Sequence, residues 1–188
     1  IFGILAVFFA ITISFIYSSS RNMIILVLGG IISSSLFSAL LSIIKYGADT
    51  NDVLPAITYW LMGSLSFSTS SIVWNLTIPM LSGILILIFF SKYLNALSLG
   101  DEEAKALGVN TKLLKLIIIL VATLISALSV ILAGIIGWIG LIIPHITRLI
   151  FGADNKVILP MSALIGAIFL LLVDNVSKLI FSFEIPIG

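Results

Sequence analysis

The chain has 188 residues, of which 61% are hydrophobic and 9% charged, with a mean hydropathy of +1.33. Soluble domains run at about 45–50% apolar and about 25% charged residues, so too few solvating side chains are present to cover a water-facing surface, and a soluble enzyme or a disordered tail is excluded. Nine Lys and Arg against eight Asp and Glu leave a formal charge of +1, without the basic density that nucleic acid requires.

Cysteine is absent, which removes thiolate metal sites, disulfides and thiol catalysis. The first residue, Ile1, lies inside an apolar run with no basic segment before it, which speaks against a signal peptide. The chain stops just after a turn signal, at Ile187 and Gly188. The expectation is a single membrane domain over 1–188, truncated at both ends.

A helix crossing the hydrocarbon core needs roughly 20 mainly apolar residues, because lipid offers no partner to an unpaired backbone group. The first runs of this kind are 1–17 and 23–44. In the second, Ser33, Ser34, Ser35 and Ser38 read as packing residues, or as a hydroxyl face lining a path. The stretch 56–66, between Pro55 and the cluster Ser68, Thr69, Ser70 and Ser71, is too short to cross and reads as a short helix in or near the outer interface, or packed at the mouth of a pathway. A third span follows at 71–91.

Next comes the polar run 100–109, with Asp101, Glu102 and Glu103 in a first helical turn, Lys105 and Leu107 after them, and Gly108 as the stop. Acidic residues at a helix start and glycine at its end suit the helix dipole and the left-handed cap. Two readings stand: a solvated loop helix, or a docking surface for a soluble partner.

A fourth span covers 113–133. Residues 116–147 contain one titratable group, His145; as one helix they would be about 48 Å long against a core of ~30 Å. Gly134, Gly137, Gly140 and Pro144 fall in the second half, predicting a break near Gly134 and a short returning helix to about residue 150. With that break Arg21, Lys92, Lys105, Lys112, Lys115, Arg148 and Lys156 share one side against Lys45 and Lys178, seven to two. A continuous helix gives six to three, so the positive-inside preference favours the break. Tyr59, Trp60, Trp74 and Trp138 then lie near the outer interface. A last span occupies 159–173, with extension to 177, and the total is six, the first running outside to inside.

The glycines at 134, 137 and 140 have no following Lys-Ser or Lys-Thr, so they read as close-packing residues rather than a phosphate loop. His145 follows Pro144 and precedes Arg148 by three residues, which puts imidazole and guanidinium on one helix face. It reads as a hydrogen-bonded residue at the inner end of a span, and Pro144 supplies a cause for a local kink. Asp174 precedes Lys178 by four, either a structural pair or a basic group presented to an acidic partner outside. No acid/base carboxylate pair is embedded in the spans, and no His-Glu-x-x-His or nucleophile with a matching base occurs, which argues against catalysis. The scarcity of intramembrane ions argues against a proton- or sodium-coupled carrier. A conduit remains that takes its energy from elsewhere.

Several stretches in order, 100–109, 133–148 with Trp138 and Pro144-His145-Ile146-Thr147-Arg148, 159–167, 170–174 and Glu184-Ile185-Pro186-Ile187-Gly188, resemble the permease subunits of the bacterial iron-chelate, haem and vitamin B12 ABC importers. Weaker likeness reaches back to 34–40 and 59–65. Trp138 stands where that family usually has Phe, and Lys105 and Lys178 where Arg is common.

The resemblance implies an all-α polytopic fold, with six transmembrane helices here, about spans four to nine of a ten-helix subunit. It implies a second permease subunit, in a homodimer or pseudo-dimer, two cytoplasmic ATP-binding subunits, a periplasmic or lipid-anchored substrate-binding protein, and the bacterial inner membrane. Asp101, Glu102, Glu103, Lys105, Leu107 and Gly108 would form the ATPase-coupling region, and Lys178 would face the binding protein. Gly134, Gly137, Gly140, Pro144, His145, Arg148 and Asp174 belong to the family motifs. The span 23–44 and the short helix at 59–65 would contribute to the path at the dimer interface. The chain would bind no cofactor, ATP and Mg being held by the partner. The cargo expected is a ferric siderophore or haem, with cobalamin or an oxyanion as the alternative and an ATPase-independent carrier or channel as the rival.

Overall fold

The computed structural model describes residues 2–17, 23–180 and 186–188. Arg21 of the charge count, and Glu184 and Ile185 of the terminal motif, lie outside them. The helices are α1 (Phe2–Tyr17), α2 (Met23–Tyr46), α3 (Val53–Leu61), α4 (Ser70–Phe89), α5 (Ser91–Ser98), α6 (Asp101–Ala106), α7 (Thr111–Ala133), α8 (Ile139–Phe151) and α9 (Asn155–Ile180), with a 3-10 turn at Leu65–Phe67. Among the described residues there is no strand, and the protein is an all-α, multi-pass membrane protein.

Four stretches are long and apolar enough to cross a membrane: Val27–Tyr46, Ser70–Phe89, Thr111–Ala133 and Asn155–Ile180. Two shorter apolar helices, Gly3–Ile13 and Ile139–Phe151, hold the places of the other two expected spans. At 13 residues α8 is about 20 Å long, because the glycine-interrupted residues 134–138 before it are not helical. Helix α9 is longer than the sequence suggested. Its Asp154 side chain accepts from the Lys156 N–H at 2.9 Å, which starts the helix four residues before 159, and Pro160 in the second turn costs only one backbone bond.

The chain divides into two compact units, Ile1–Tyr59 and Trp60–Gly188. In the first, α1 and α2 lie against each other. The Ser33 hydroxyl donates to the Ala6 carbonyl at 2.9 Å, and a Cβ on Gly29 would stand 2.6 Å from the Ala10 carbonyl oxygen. Close approach of helices through small residues is the membrane mode of packing. Of the four serines, Ser33 is the buried one that does this. Helix α3 begins at Val53 rather than at 56, since Pro55 sits in its first turn, where the missing N–H has no intrahelical partner to lose.

In the second unit α7 runs from the α6 end, where Lys115 meets Asp101, to the opposite end. There the Ser64 N–H donates to the Ala133 carbonyl at 2.9 Å and the Ser68 hydroxyl to Leu132 at 2.8 Å. Helix α8 then returns, since Asp154 and Asn155, just past it, bond to Asn95 of α5. A continuous helix from 116 to 147 would have carried them the other way, so the predicted break stands at Gly134. Within this unit Lys92, Lys105, Lys112, Lys115, Arg148 and Lys156 gather toward the α5–α6 end and Lys178 toward the other. By the positive-inside preference the α5–α6 end is the one expected on the cytoplasmic side.

Candidate functional site

The connection from α4 to α7 is a helical hairpin built from local signals. Helix α4 stops at Phe90, whose φ of −81° and ψ of 0° leave the helical region, and α5 starts at once. Gly100, at φ +128°, turns the chain into α6. The end of α6 is a Schellman motif: the Val109 N–H donates to the Ala104 carbonyl at 3.0 Å, and the Gly108 N–H to Lys105 at 2.9 Å, with Gly108 at φ +79°. The glycine stop read from the sequence is thus where the helix ends. Asn110 caps α7 by accepting from the Leu113 N–H at 3.2 Å.

The three acidic residues have different surroundings. Asp101 bonds to Lys115 of α7 at 2.6 Å, with both side chains partly shielded, so it ties the hairpin to a span. Glu102 pairs with Lys105 at 2.9 Å while its side chain stays 87% exposed; the bond raises the Lys105 pKa above its ordinary value, but a solvent-exposed pair of this kind contributes little to stability. Glu103 folds back beside Gly100, so that a Cβ there would meet its carboxylate. Ala104 is fully buried and seats the helix. Leu107 and Leu99, both 65% exposed, flank α6 outside the apolar part of the bundle.

A second attachment escaped the sequence reading. The Asn95 side-chain amide donates to Asp154 Oδ1 at 2.6 Å, and its oxygen accepts from the Asn155 N–H at 2.8 Å. The Asn95 donor, then the Lys156 N–H, hold the Asp154 carboxyl below its usual pKa. Asp154 carries a readable signal, an Asx residue at a helix start; Asn95 carries none, since its partners lie 59 and 60 residues away.

At the opposite end the backbone crosses itself. Gly134, at φ +69° and ψ −154°, would place a Cβ against the Trp60 carbonyl and 3.0 Å from the Gly63 Cα. Gly63, at φ +70°, would place one 2.7 Å from the Ile135 carbonyl oxygen. The Ile187 and Gly188 N–H groups donate to Gly63 and Met62, each at 2.9 Å. Gly63 and Gly188 lie in the stretches 59–65 and 184–188 that carry the resemblance, and glycine after a short helix is the local signal for Gly63. Gly137 and Gly140, in step with Gly134 by sequence, would meet nothing within 4 Å, so the described residues give them no packing partner. Between them Trp138 holds φ +65°, the left-handed region that an L-residue occupies at a cost.

His145 and Arg148 are both exposed on α8, and no bond joins them among the described residues. Pro144 lies inside that helix and leaves the Gly140 carbonyl without its usual donor. Lys178 bonds to Asp174 at 2.7 Å, with the lysine side chain 52% exposed and the aspartate 16%. The structure thus gathers Asp101 to Gly108 in one hairpin and sets Lys178 at the far end of α9.

The sequence model described as the FecCD transport family matches residues 1–188. The chain is 42% identical over 187 residues to the molybdate import system permease protein MolB of Haemophilus influenzae, covering 100% of this chain and 55% of that protein. It is 36% identical to the hemin transport system permease protein HmuU of Yersinia pestis, over 89% of this chain and 50% of that one. The cobalamin import system permease protein BtuC of Halobacterium salinarum is also 36% identical, over 87% and 43%. A solved structure, described as an inward-facing ABC transporter of metal-chelate type, superposes with a TM-score of 0.91 at 41% identity, covering 99% of this chain and 59% of that one. The chain spans about half the length of these relatives.

Proposed function

The chain belongs to the FecCD transport family, and from that premise we propose that it is the membrane-spanning part of an ATP-driven importer, energised by a separate ATPase through the α5–α6 hairpin. The observation that carries this reading is the hairpin itself: charged and leucine side chains face water at the positively charged end of an apolar bundle, while Ala104 and Asp101 fix it to that bundle. Two ATP-binding subunits closing on ATP would draw two such hairpins together, in a homodimer of permease subunits within the bacterial inner membrane. The spans would convert that motion into alternating access. Hydrolysis, with ATP and Mg, belongs to the partner, and this chain supplies path and lever.

Glu102 and Leu107 offer the direct test. With cysteine introduced at either position in the assembled transporter, a short thiol cross-linker joins this chain to the ATPase; the cysteine substituted for Lys178 does not form that product. No cross-link from either hairpin position would refute the docking role.

Lys178 is the candidate contact for a periplasmic or lipid-anchored binding protein, since the Asp174 pair leaves its ammonium half-exposed. Lys178→Glu is expected to weaken binding-protein association about tenfold at low salt, with the difference narrowing as salt rises. Equal affinities at low salt would reduce Lys178 to a structural partner of Asp174.

The cargo read from the sequence is a ferric siderophore or haem, and HmuU, named for hemin, supports it. A second reading is favoured by MolB, named for molybdate, at 42% identity. Binding of ferric chelates, haem, cobalamin and molybdate to the cognate binding protein separates the two readings.

A further inference from the structure

We propose that Asn95 and Asp154 are positioning residues that lock the α5–α6 hairpin to the start of α9, so that displacement of the hairpin is delivered along that helix. The inference rests on the reading of the hairpin as the ATPase-docking surface. Asn95 uses both ends of its amide, donating to Asp154 Oδ1 at 2.6 Å and accepting from the Asn155 N–H at 2.8 Å. The first N–H groups of a helix have no partner within it; Asn95 supplies one from another element.

Asp154 is itself the cap of α9. Its side chain accepts from the Lys156 N–H at 2.9 Å, and its carbonyl from Val157 and Ile158 at 3.0 and 2.9 Å. Asn95 therefore grips the capping residue, not a side chain free to swing. Bonds to an ionised carboxylate are the stronger kind, and an aspartate side chain is ionised at neutral pH. Helices α5 and α9 also pack against each other, and Ser91 of α5 and Ile158 of α9 are both buried.

The hairpin has a different hold on α7, through Asp101 and Lys115. Two anchors on two spans make it a lever with two arms. The α9 arm is 26 residues long, about 39 Å, and its last turn carries Lys178. The Asn95 clamp thus joins the surface proposed to meet the ATPase to the helix proposed to meet the binding protein.

The test uses the assembled transporter in vesicles, with three readouts: cross-linking of a cysteine at position 102 to the ATPase, ATP hydrolysis, and uptake. Asn95→Ala is expected to leave the cross-link and basal hydrolysis unchanged and to lower uptake per ATP hydrolysed by roughly tenfold, the scale of losing a hydrogen bond to a charged group. Asp154→Asn keeps an Oδ1 acceptor but loses its charge, and its uptake per ATP is expected to fall between that of Asn95→Ala and that of the unaltered protein. Asn95→Cys with Asp154→Cys, measured before and after bridging by a short bifunctional thiol reagent, should move from the uncoupled to the coupled state. That pair also decides the matter if Asn95→Ala fails to insert. Unchanged uptake per ATP in Asn95→Ala, or a bridge that restores nothing, overturns the clamp while leaving docking intact. Loss of the cross-link in Asn95→Ala would also overturn it, by placing Asn95 in the docking surface. Absence of the cross-link in the chain with native Asn95 overturns the docking reading, and this inference with it.

Discussion

Gly134→Ala is expected to destabilise the solubilised protein by about 3 kcal/mol or more, whereas Gly137→Ala, three residues on, changes stability by about 0.5 kcal/mol or less. The two glycines are equivalent by spacing and by composition of their neighbours. They differ in the backbone. At φ +69° and ψ −154° Gly134 occupies a region essentially closed to other residues, at a cost of about 1–3 kcal/mol. Its Cβ would also press on the Trp60 carbonyl and the Gly63 Cα, neither of which can turn aside as a side chain would. Gly137 would meet nothing. The measurement is the denaturation midpoint of the two variants in one detergent. Equal shifts would mean that the crossing of Gly63 and Gly134 does not hold the α7–α8 return in place.

Reversing the exposed acids of the hairpin, Glu102→Lys with Glu103→Lys, is expected to lower uptake about a hundredfold, on the scale of several kcal/mol for opposed like charges at a contact. The fold should be untouched, because neither carboxylate fixes α6 to the bundle. Asp101→Lys is a different experiment. It sets a second cation against Lys115 in place of the 2.6 Å bond and is expected to lower stability as well as uptake. Uptake in the double variant equal to that of the unaltered protein, with insertion unimpaired, would remove the acidic turn from the coupling surface. A double variant as unstable as Asp101→Lys would instead show that the trio acts as one structural unit.

What could be read from residues alone follows the range of each interaction. The Gly108 stop and the acidic first turn of α6 are settled within about six residues of themselves, and they stand as read. The break at Gly134 was legible for a different reason: 32 nearly uncharged residues exceed the thickness of a bilayer, and the distribution of Lys and Arg chose the return. Boundaries moved where proline was the signal. Pro55 and Pro160 look like starts or stops in a sequence, yet Pro55 sits in the first turn of α3, where its missing N–H has no intrahelical partner to lose, and Pro160 sits inside α9, which continues at the loss of one backbone bond. Asn95 with Asp154, and Gly63 with Gly134 and Gly188, could not be found this way. Each depends on backbone brought together by the return of α8 and by the residues after α9, tens of positions away. The every-third glycines make the same point, since a sequence repeat gave three equal candidates and the fold distinguishes one.

The central claim is that transport through this protein is driven by an ATP-hydrolysing partner acting on the α5–α6 hairpin. The most direct test is cargo uptake into sealed vesicles containing the assembled transporter, supplied with loaded binding protein, compared with vesicles lacking the ATPase. Accumulation is expected to require both ATP and the ATPase, with none above background without them. Uptake at the same rate from vesicles without the ATPase would contradict the claim and make this chain part of a self-sufficient carrier or channel.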